Sequence, residues 1–399
     1  MSNIVFFKGL SRYNVLSTYV EQDAATLANR GHSVRILSIE PGLPNDAMKT
    51  LIEADLVVGY VGWGLELTTR DGLPVLPRIK APFVASLGDH PVYLQNRLKN
   101  AAPHHHLVMY SSHNVAFAKN HLKIEAPLHM GMITYNSPPE FSLSNKDIDI
   151  LVAGSVQNSE EILANRLAPI AKYIPLIRDL YVHWRDKSNC KEDVFVLFLN
   201  VFGKKLIEDL KELNRILSAA CVFDVYCRNR YRIEMAEKLK SFSLTFVGSG
   251  WEEACSHFEH NFTFLPDVDY RSYLKTLQRA KVAINLLPPS FDFHERIVDS
   301  AANGAALVTH RTEWVSKAYS FEEEVVPLSL INEDVADGLN EYLSKPKRLE
   351  QIAEAGSKRV QACFTQEARA NSYEQLMSTG KLGWAFAQPL GNDGAAIAS

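Results

Sequence analysis

The 399-residue chain has no excess of charge of either sign: 42 lysines and arginines stand against 46 aspartates and glutamates, a formal net charge of -4. With a pI near 6.4, that balance gives no reason to expect a nucleic-acid partner. Cysteine is scarce. Its five copies (Cys190, Cys221, Cys227, Cys255, Cys363) are odd in number and show neither a CxxC pair nor a Cys/His spacing suited to a metal, so they read as reduced thiols. No apolar run approaches the length of a membrane span, and the opening MSNIVFFKGL starts a strand pattern without a signal peptide. A cytoplasmic protein is expected, with membrane contact, if any, peripheral. The first strand-to-helix turn, KGLSRYN (Lys8 to Asn14), also lacks GxGxxG, so no dinucleotide is expected there.

What is present is a large apolar fraction, 46% of residues, enough for two domains that each bury a core. From Ile4 to Met130, strand and helix signals alternate. Candidate strands are Ile4 to Phe7, Val34 to Leu37, Leu56 to Tyr60, Phe83 to Leu87 and Leu107 to Tyr110, each short, β-branched or aromatic, and bounded by Gly, Pro or Asp. Between the first two, Leu16, Tyr19, Val20, Ala24, Leu27 and Ala28 form one helical stripe ending at Gly31. This alternation predicts an α/β domain over 1–140, Rossmann-like, with a parallel sheet covered on both faces.

The stretch NSPPEFSLSNK (Asn136 to Lys146) breaks the pattern and predicts a domain boundary. A second α/β domain is expected over 146–365. It opens on the strand Ile148 to Ala153, where Gly154 and Ser155 either bring N–H groups close to a phosphate or form a plain turn. Strand signals vanish from about 160 to 220, which predicts a helical elaboration. Val222 to Tyr226 reads as a strand again, followed by a basic helix, Cys227 to Lys240. Its Arg228, Arg230 and Arg232 either face an anion or form a solvated surface. After the strand Leu244 to Val247, Gly248 and Gly250 allow a tight approach, and Trp251 either stacks on a base or belongs to the core.

The richest segment is VAINLLPPSFDFHERIVDSAANGAALVT, Val282 to Thr309. The apolar run Val282 to Leu287 stops at Pro288-Pro289 and predicts a buried strand running into a loop. From His294, the residues Ile297, Val298, Ala301 and Ala302 recur at helical spacing, with Glu295, Asp299 and Asn303 on another stripe. Gly304 ends the helix, and Ala306 to Thr309 is the next strand. The start of such a helix, at the carboxyl edge of a parallel sheet, is where open α/β sheets bind ligands. A nucleotide diphosphate suits it: helix N–H groups and Arg296 for the phosphates, and Asp299 for the ribose hydroxyls.

RAKVAINLLPPSFDFHERIVDSAANGAALVTHRTEW resembles the C-terminal donor-binding segment of group 1 GT-B glycosyltransferases, and is most similar to their spore-maturation-type branch. VGSGWE (Val247 to Glu252), PDVDYRSYLKTLQRA (Pro266 to Ala280) and DIDILVAGSVQNSEEILANR (Asp147 to Arg166) resemble further segments of that family in the same order, over about Asp147 to Phe364. The resemblance implies two facing Rossmann-like domains with a nucleotide-sugar on the second, held by Gly154, Ser155, Arg228, Gly248, Gly250, Trp251, His294, Glu295, Arg296 and Asp299. It also implies that the terminal helix, Thr365 to Ser378, crosses back to the first domain. A small, polar tail beyond Gly380 is expected to be disordered. The chain departs from the family in lacking the spaced glutamate pair, since Phe291 stands eight residues before Asp299.

In the first half, DHP (Asp89 to Pro91) and PLHMG, containing His129, resemble segments that line the cleft in the same branch. A sugar acceptor needs a base to take its hydroxyl proton, and Asp89 is the first candidate, His90 the second. His129 is the third. The alternative is that Asp89 caps the helix starting at Pro91 while His90 packs. His104 to His106 cannot all ligate one ion from a strand, and the aspartates of DVD (Asp267 to Asp269) read as a turn, so neither a metal nor another cofactor is expected. The function implied is transfer of a sugar from a nucleotide donor to a glycan, protein or small molecule. The other readings are a sugar-nucleotide epimerase and a non-catalytic nucleotide-sugar binding protein.

Overall fold

The computed structural model describes residues 1–39, 46–69, 71–124, 128–129, 139, 141–186, 190–210, 213–328 and 335–382. The first half forms strands β1 (Asn3–Lys8), β2 (Ser33–Ser38), β3 (Leu56–Tyr60), β4 (Phe83–Leu87), β5 (His106–Met109) and β6 (Leu128–His129). Among them run helices α1 (Val15–Asn29), α2 (Ala47–Ile52), α3 (Pro91–Leu98) and α4 (Ser112–Phe117). The sheet order is β2-β1-β3-β4-β5-β6 and every pairing is parallel. LVVGY and FVASL are buried at each position, as central parallel strands with helices on both faces must be.

The second half repeats the scheme. Its strands are β7 (Ile148–Ala153), β8 (Ser243–Val247), β9 (Asn261–Leu265), β10 (Ala280–Ile284), β11 (Ala306–Thr309) and β12 (Val326–Pro327). Its helices are α5 (Ser159–Arg166), α6 (Ile174–Asp186), α7 (Val194–Leu210), α8 (Leu213–Lys238), α9 (Trp251–Cys255), α10 (Tyr270–Gln278), α11 (Glu295–Ala302), α12 (Glu313–Ala318), α13 (Val335–Leu343), α14 (Pro346–Cys363) and α15 (Gln366–Thr379). The parallel order β12-β11-β10-β7-β8-β9 reverses direction between β7 and β10. The crevice beyond the carboxyl ends of two such strands is the natural ligand site of an open α/β sheet. All five cysteines are free thiols, and among the described residues no helix is long and apolar enough to cross a membrane.

Three expectations are corrected. Val222 to Tyr226 is not a strand but the middle of α8. Ala219, Ala220, Phe223, Tyr226 and Cys227 are all buried, and their spacing of three and four forms a stripe packed on α7, where Phe198 and Phe223 lie 5.4 Å apart. Packing overrides the β-propensity of the run. The strand expected over Val282 to Leu287 is β10 and ends at Ile284, because Leu286 and Leu287 are buried in the loop instead. Finally, Asp299, expected to meet ribose hydroxyls, is completely buried, as is Asn303 on the same stripe, since α11 is covered on a second side by α10. Of the expected boundary, residues 139 and 141–146 are described and 136–138 and 140 are not; the tail beyond Leu382 also lies outside the described residues.

Helix α15 lies against α1 of the first half. Tyr373 meets Phe6 edge-on at 6.3 Å, and Arg30 reaches Glu367, Asn371 and Glu374. Deeper, Arg369 donates to Asp23 at 3.1 Å with both side chains nearly sealed from water, and Tyr60 donates to the same carboxylate oxygen at 2.6 Å. Burial lifts the Asp23 carboxyl to about 6 against the pull of Arg369. The folded state therefore holds this proton more tightly than the unfolded chain. Its stabilising contribution is complete below about pH 4 and is lost as pH rises through about 6. Asp23→Asn, which mimics the protonated carboxyl, is expected to show a melting temperature that falls less than that of the native protein between about pH 4 and 7, readable by calorimetry. An equal slope in both proteins would contradict the assignment.

Candidate functional site

The carboxyl edges of the two sheets face each other across a cavity of about 600 Å³. From the first half come Arg12 and Tyr13 beyond β1, Val61 and Trp63 beyond β3, and Asp89, His90 and Tyr93 beyond β4. The second half supplies Gly154 and Ser155 beyond β7, the loop Leu287 to Arg296 beyond β10, and Asp224, Arg228 and Arg232 from α8. The α8 residues are four apart, so they form a single stripe along one face.

Positive charge collects at Gly154. This glycine has φ +124, a backbone conformation that side-chain-bearing residues rarely adopt, and the Arg296 guanidinium lies beside it, with Nη1 3.5 Å from where a Cβ would stand. Arg232 donates to the Ser155 carbonyl at 2.9 Å. Arg12 crosses from the first half to donate to the Ser155 hydroxyl at 3.1 Å, beside the Tyr13 hydroxyl at 3.0 Å. Arg228 pairs with Asp224 at 2.6 Å, but neither Arg232 nor Arg296 forms an ion pair with a described carboxylate. Burial, followed by repulsion from Arg296 and Arg228, drives the Arg232 guanidinium well below its usual range. A preorganised cluster of donors of one sign is a site for an anion with several oxygens.

Helix α11 starts at the same place. His294 is its N-cap, and its Nδ1 lies 2.8 Å from Glu295 Oε2 and 3.3 Å from the Arg296 N–H. Burial and Arg296 lower the imidazole to about 4. Burial works to raise the Glu295 carboxyl, but His294 and Arg296 outweigh it and bring it to about 2. At neutral pH the pair is a neutral imidazole and a carboxylate, and the ring tautomer decides whether Nδ1 donates to Glu295, leaving the Arg296 N–H uncapped, or accepts from that N–H. In the first case Nε2 is an acceptor and in the second a donor.

Across the cavity, Asp89 opens onto the space between the halves yet is surrounded by protein. Asp89 is itself exposed to that space, and the protein around it raises its carboxyl above the usual range, with Arg228 opposing and Glu295 assisting. His90 is not available as a base. Its Nδ1 accepts from the Val92 N–H at 3.3 Å, Nε2 lies 3.2 Å from Asp193 Oδ2, and the ring stacks on Phe195 at 4.0 Å. It caps α3 and fixes the turn that carries Asp89. His129 stands on β6, and its side chain lies outside the described residues.

Several expected donor-site residues are elsewhere. Asp299 does not present its oxygens to the cavity: it is buried and accepts from the Tyr270 hydroxyl at 2.7 Å, because its face of α11 is turned to α10. Trp251 is 1% exposed and packs on Phe246 at 4.2 Å, so no base can stack on it. Its indole N–H instead donates to the Gly154 carbonyl. Gly248 and Gly250 support the loop from behind, where a Cβ would strike the Gly154 and Val156 carbonyls at 2.6 and 2.1 Å. Arg230 turns away to Glu234 at 3.3 Å. Asp224 and Asp193 were missed. The four-residue spacing of Asp224, Arg228 and Arg232 was the available signal, hidden by reading 222–226 as a strand.

Residues 228–375, from Arg228 through most of α15, match a family described as glycosyl transferase-like. No curated protein sequence matches the chain. Among solved structures, sucrose-phosphate synthase from Thermosynechococcus elongatus is similar at 14% identity and a TM-score of 0.51, covering 95% of this chain and 98% of that one. An alpha-glucosyltransferase in complex with UDP gives 10% identity and 0.52, covering 95% and 100%. HepE of Anabaena, in complex with UDP and glucose, gives 11% and 0.50, also covering 95% and 100%. At such identities the likeness is one of fold, and the fold is GT-B: two parallel-sheet, Rossmann-like domains facing each other across a cleft.

The uncompensated guanidiniums give a prediction with opposite signs for two readouts. Arg232→Gln keeps an amide donor near Ser155 but removes a repelled charge, so the unliganded protein is expected to melt at the native temperature or above. Its affinity for inorganic pyrophosphate, read by calorimetry, is expected to fall about 10- to 100-fold, the loss of one charged hydrogen-bond partner. Unchanged pyrophosphate binding would place the anion elsewhere.

Proposed function

We propose that this protein is a glycosyltransferase that moves a hexose from a nucleotide-diphosphate donor to a hydroxyl-bearing acceptor. The observation that carries the reading is the convergence of Arg232 and Arg296 on the Gly154 loop, with Arg228 farther along the same cavity and Asp89 opposite on the other domain. The glycosyl transferase-like match includes these arginines and the whole of α11, and the HER segment favours the spore-maturation-type branch. Solved proteins of this fold are titled as complexes with UDP or with UDP and glucose.

In this reading the donor diphosphate lies against the Gly154–Ser155 loop and the N-terminus of α11, and Arg12 approaches from the acceptor side. As the bond from the anomeric carbon to the diphosphate oxygen breaks, negative charge grows on the leaving group. The guanidiniums meet it in place, where preorganised donors lower a barrier most. No metal is assigned a part. Glu295, ionised at the wall of the cavity, takes the acceptor role toward a ribose hydroxyl that Asp299 cannot fill. Asp89 removes the proton of the attacking hydroxyl, and its raised pKa makes it a stronger base than an ordinary carboxylate.

A thermal-shift panel of UDP, GDP, dTDP and CDP tests the donor site, since a ligand that binds the folded state alone raises its melting temperature. One nucleoside diphosphate is expected to stabilise the native protein and to lose that effect in Arg296→Ala. Asp89→Asn is expected to keep the shift and lose transfer by at least about 100-fold. In the native enzyme the acidic limb of kcat/KM should lie above the ordinary carboxylate value of about 4. A folded protein indifferent to all four nucleotides would overturn the reading. Release of an isomerised donor without any acceptor would replace it with an epimerase.

A further inference from the structure

Buried polar atoms in folded proteins almost always have partners. In the wall of this cavity four do not: Oδ1 of Asp224, Nε of Arg228, Oγ of Ser290 and Oδ2 of Asp292. All four residues line the same space. Asp224 is 0% and Asp292 2% exposed, so these are carboxylates withdrawn from water, each with one oxygen left over. The partners they do have are well made. Asp224 Oδ2 accepts from the Tyr93 hydroxyl at 2.5 Å and from Arg228 at 2.6 Å, and Asp292 Oδ1 accepts from the Trp314 N–H at 2.7 Å.

These atoms belong to two elements that the fold holds together. Asp224 and Arg228 are on α8, in the helical insertion between β7 and β8. Ser290 and Asp292 are on the loop after β10, and that loop is fastened to the insertion by the Ser290 N–H donating to the Cys190 carbonyl at 2.7 Å. The Arg228 guanidinium bridges the two, 5.2 Å from the Phe291 ring. From the first domain, Tyr93 completes the wall, and its hydroxyl also donates toward the Cys221 carbonyl at 3.3 Å.

We infer that the helical insertion is part of the substrate site, and that Asp224, which lines the same cavity as Asp292 of the β10–α11 loop, selects the sugar by accepting hydrogen bonds from ring hydroxyls. This rests on the nucleotide-sugar reading above and adds to it the class of sugar. Two unpartnered carboxylate oxygens need donors, which a neutral hexose supplies in pairs. A uronic acid brings a third carboxylate to the same wall and is disfavoured. Ser290 Oγ and Arg228 Nε add one donor each for the ring or hydroxyl oxygens. The cavity thereby divides by charge: guanidiniums at the Gly154 end for the diphosphate, and carboxylates under Phe291 for the hexose. A site built to pair hydroxyls discriminates through the groups it would otherwise leave unpaired.

The experiment is calorimetric binding of UDP, UDP-glucose, UDP-galactose, UDP-glucuronate, GDP and GDP-mannose to the native protein, Asp224→Asn and Asp292→Asn, with far-UV circular dichroism to establish that each variant is folded. The native protein is expected to bind one neutral conjugate more tightly than its parent nucleotide and than the glucuronate. Each variant is expected to bind the parent nucleotide within about twofold of native and the conjugate about tenfold or more weakly. If both ligands weaken equally, or neither weakens, in a folded variant, Asp224 and Asp292 are structural and the inference falls while the donor site stands. If the native protein binds none of the six, the donor reading itself falls and takes this inference with it. Asp292→Asn lies outside the Tyr93–Arg228 cluster, so a folding defect in Asp224→Asn does not spare the inference.

Discussion

Positive charge that the protein does not neutralise is the constraint on which the rest of the site depends. Two like charges about 4 Å apart at an effective dielectric constant near 20 repel by about 4 kcal/mol, so guanidiniums are brought together only where the architecture holds them. Here three devices do so. Gly154 supplies the positive-φ turn that sets the loop beside Arg296, α8 projects Arg228 and Arg232 one turn apart, and Trp251 pins the Gly154 carbonyl from behind. Each is a backbone or core feature, and together they hold the unliganded site ready for an anion.

The two domains meet through contacts that differ in kind on the two sides of the cavity. At the far side, α15 returns to α1 and buries the Asp23–Arg369 pair, which fastens the end of the second half to the first. At the near side, the helical insertion reaches α3, with Asp193 on His90 and Asp224 on Tyr93. An insertion on one domain that grips the other closes the cavity laterally, and water excluded from such a space strengthens every charge interaction inside it. His90, a candidate base in the sequence, is better understood as the hinge pin of that grip. Its two ring nitrogens are both committed, and the neighbouring Asp89 is left to face the cavity.

Much of the architecture was legible because it depends on local pattern. The runs Leu56 to Tyr60, Phe83 to Leu87, Ile148 to Ala153 and Ala306 to Thr309 were expected as strands, and they are strands over those same residues. A short, continuous apolar run between turn residues has few other ways to be buried. The segment Val222 to Tyr226 has the same local look and is helical, since its neighbours three and four residues away complete a buried stripe against α7. Strand periodicity read over five residues cannot register that, whereas a window long enough to include Ala219 and Cys227 would have.

By itself the sequence determined the alternation of strand and helix, and with it two parallel sheets and the loops at their carboxyl edges, because side-chain period and turn chemistry act over a few residues. It also placed Asp89, His294, Glu295 and Arg296 at those edges. Which polar groups actually meet the cavity was decided by tertiary structure alone. Asp299 and Glu295 are one turn apart on α11, and only the presence of α10 sends one into the core and the other to the cleft. Asp224 became part of the site through Tyr93, 131 residues away, and His90 was committed by Asp193, 103 residues away. Hydrogen bonding is short in space and indifferent to separation along the chain, so no local pattern could have announced those partners.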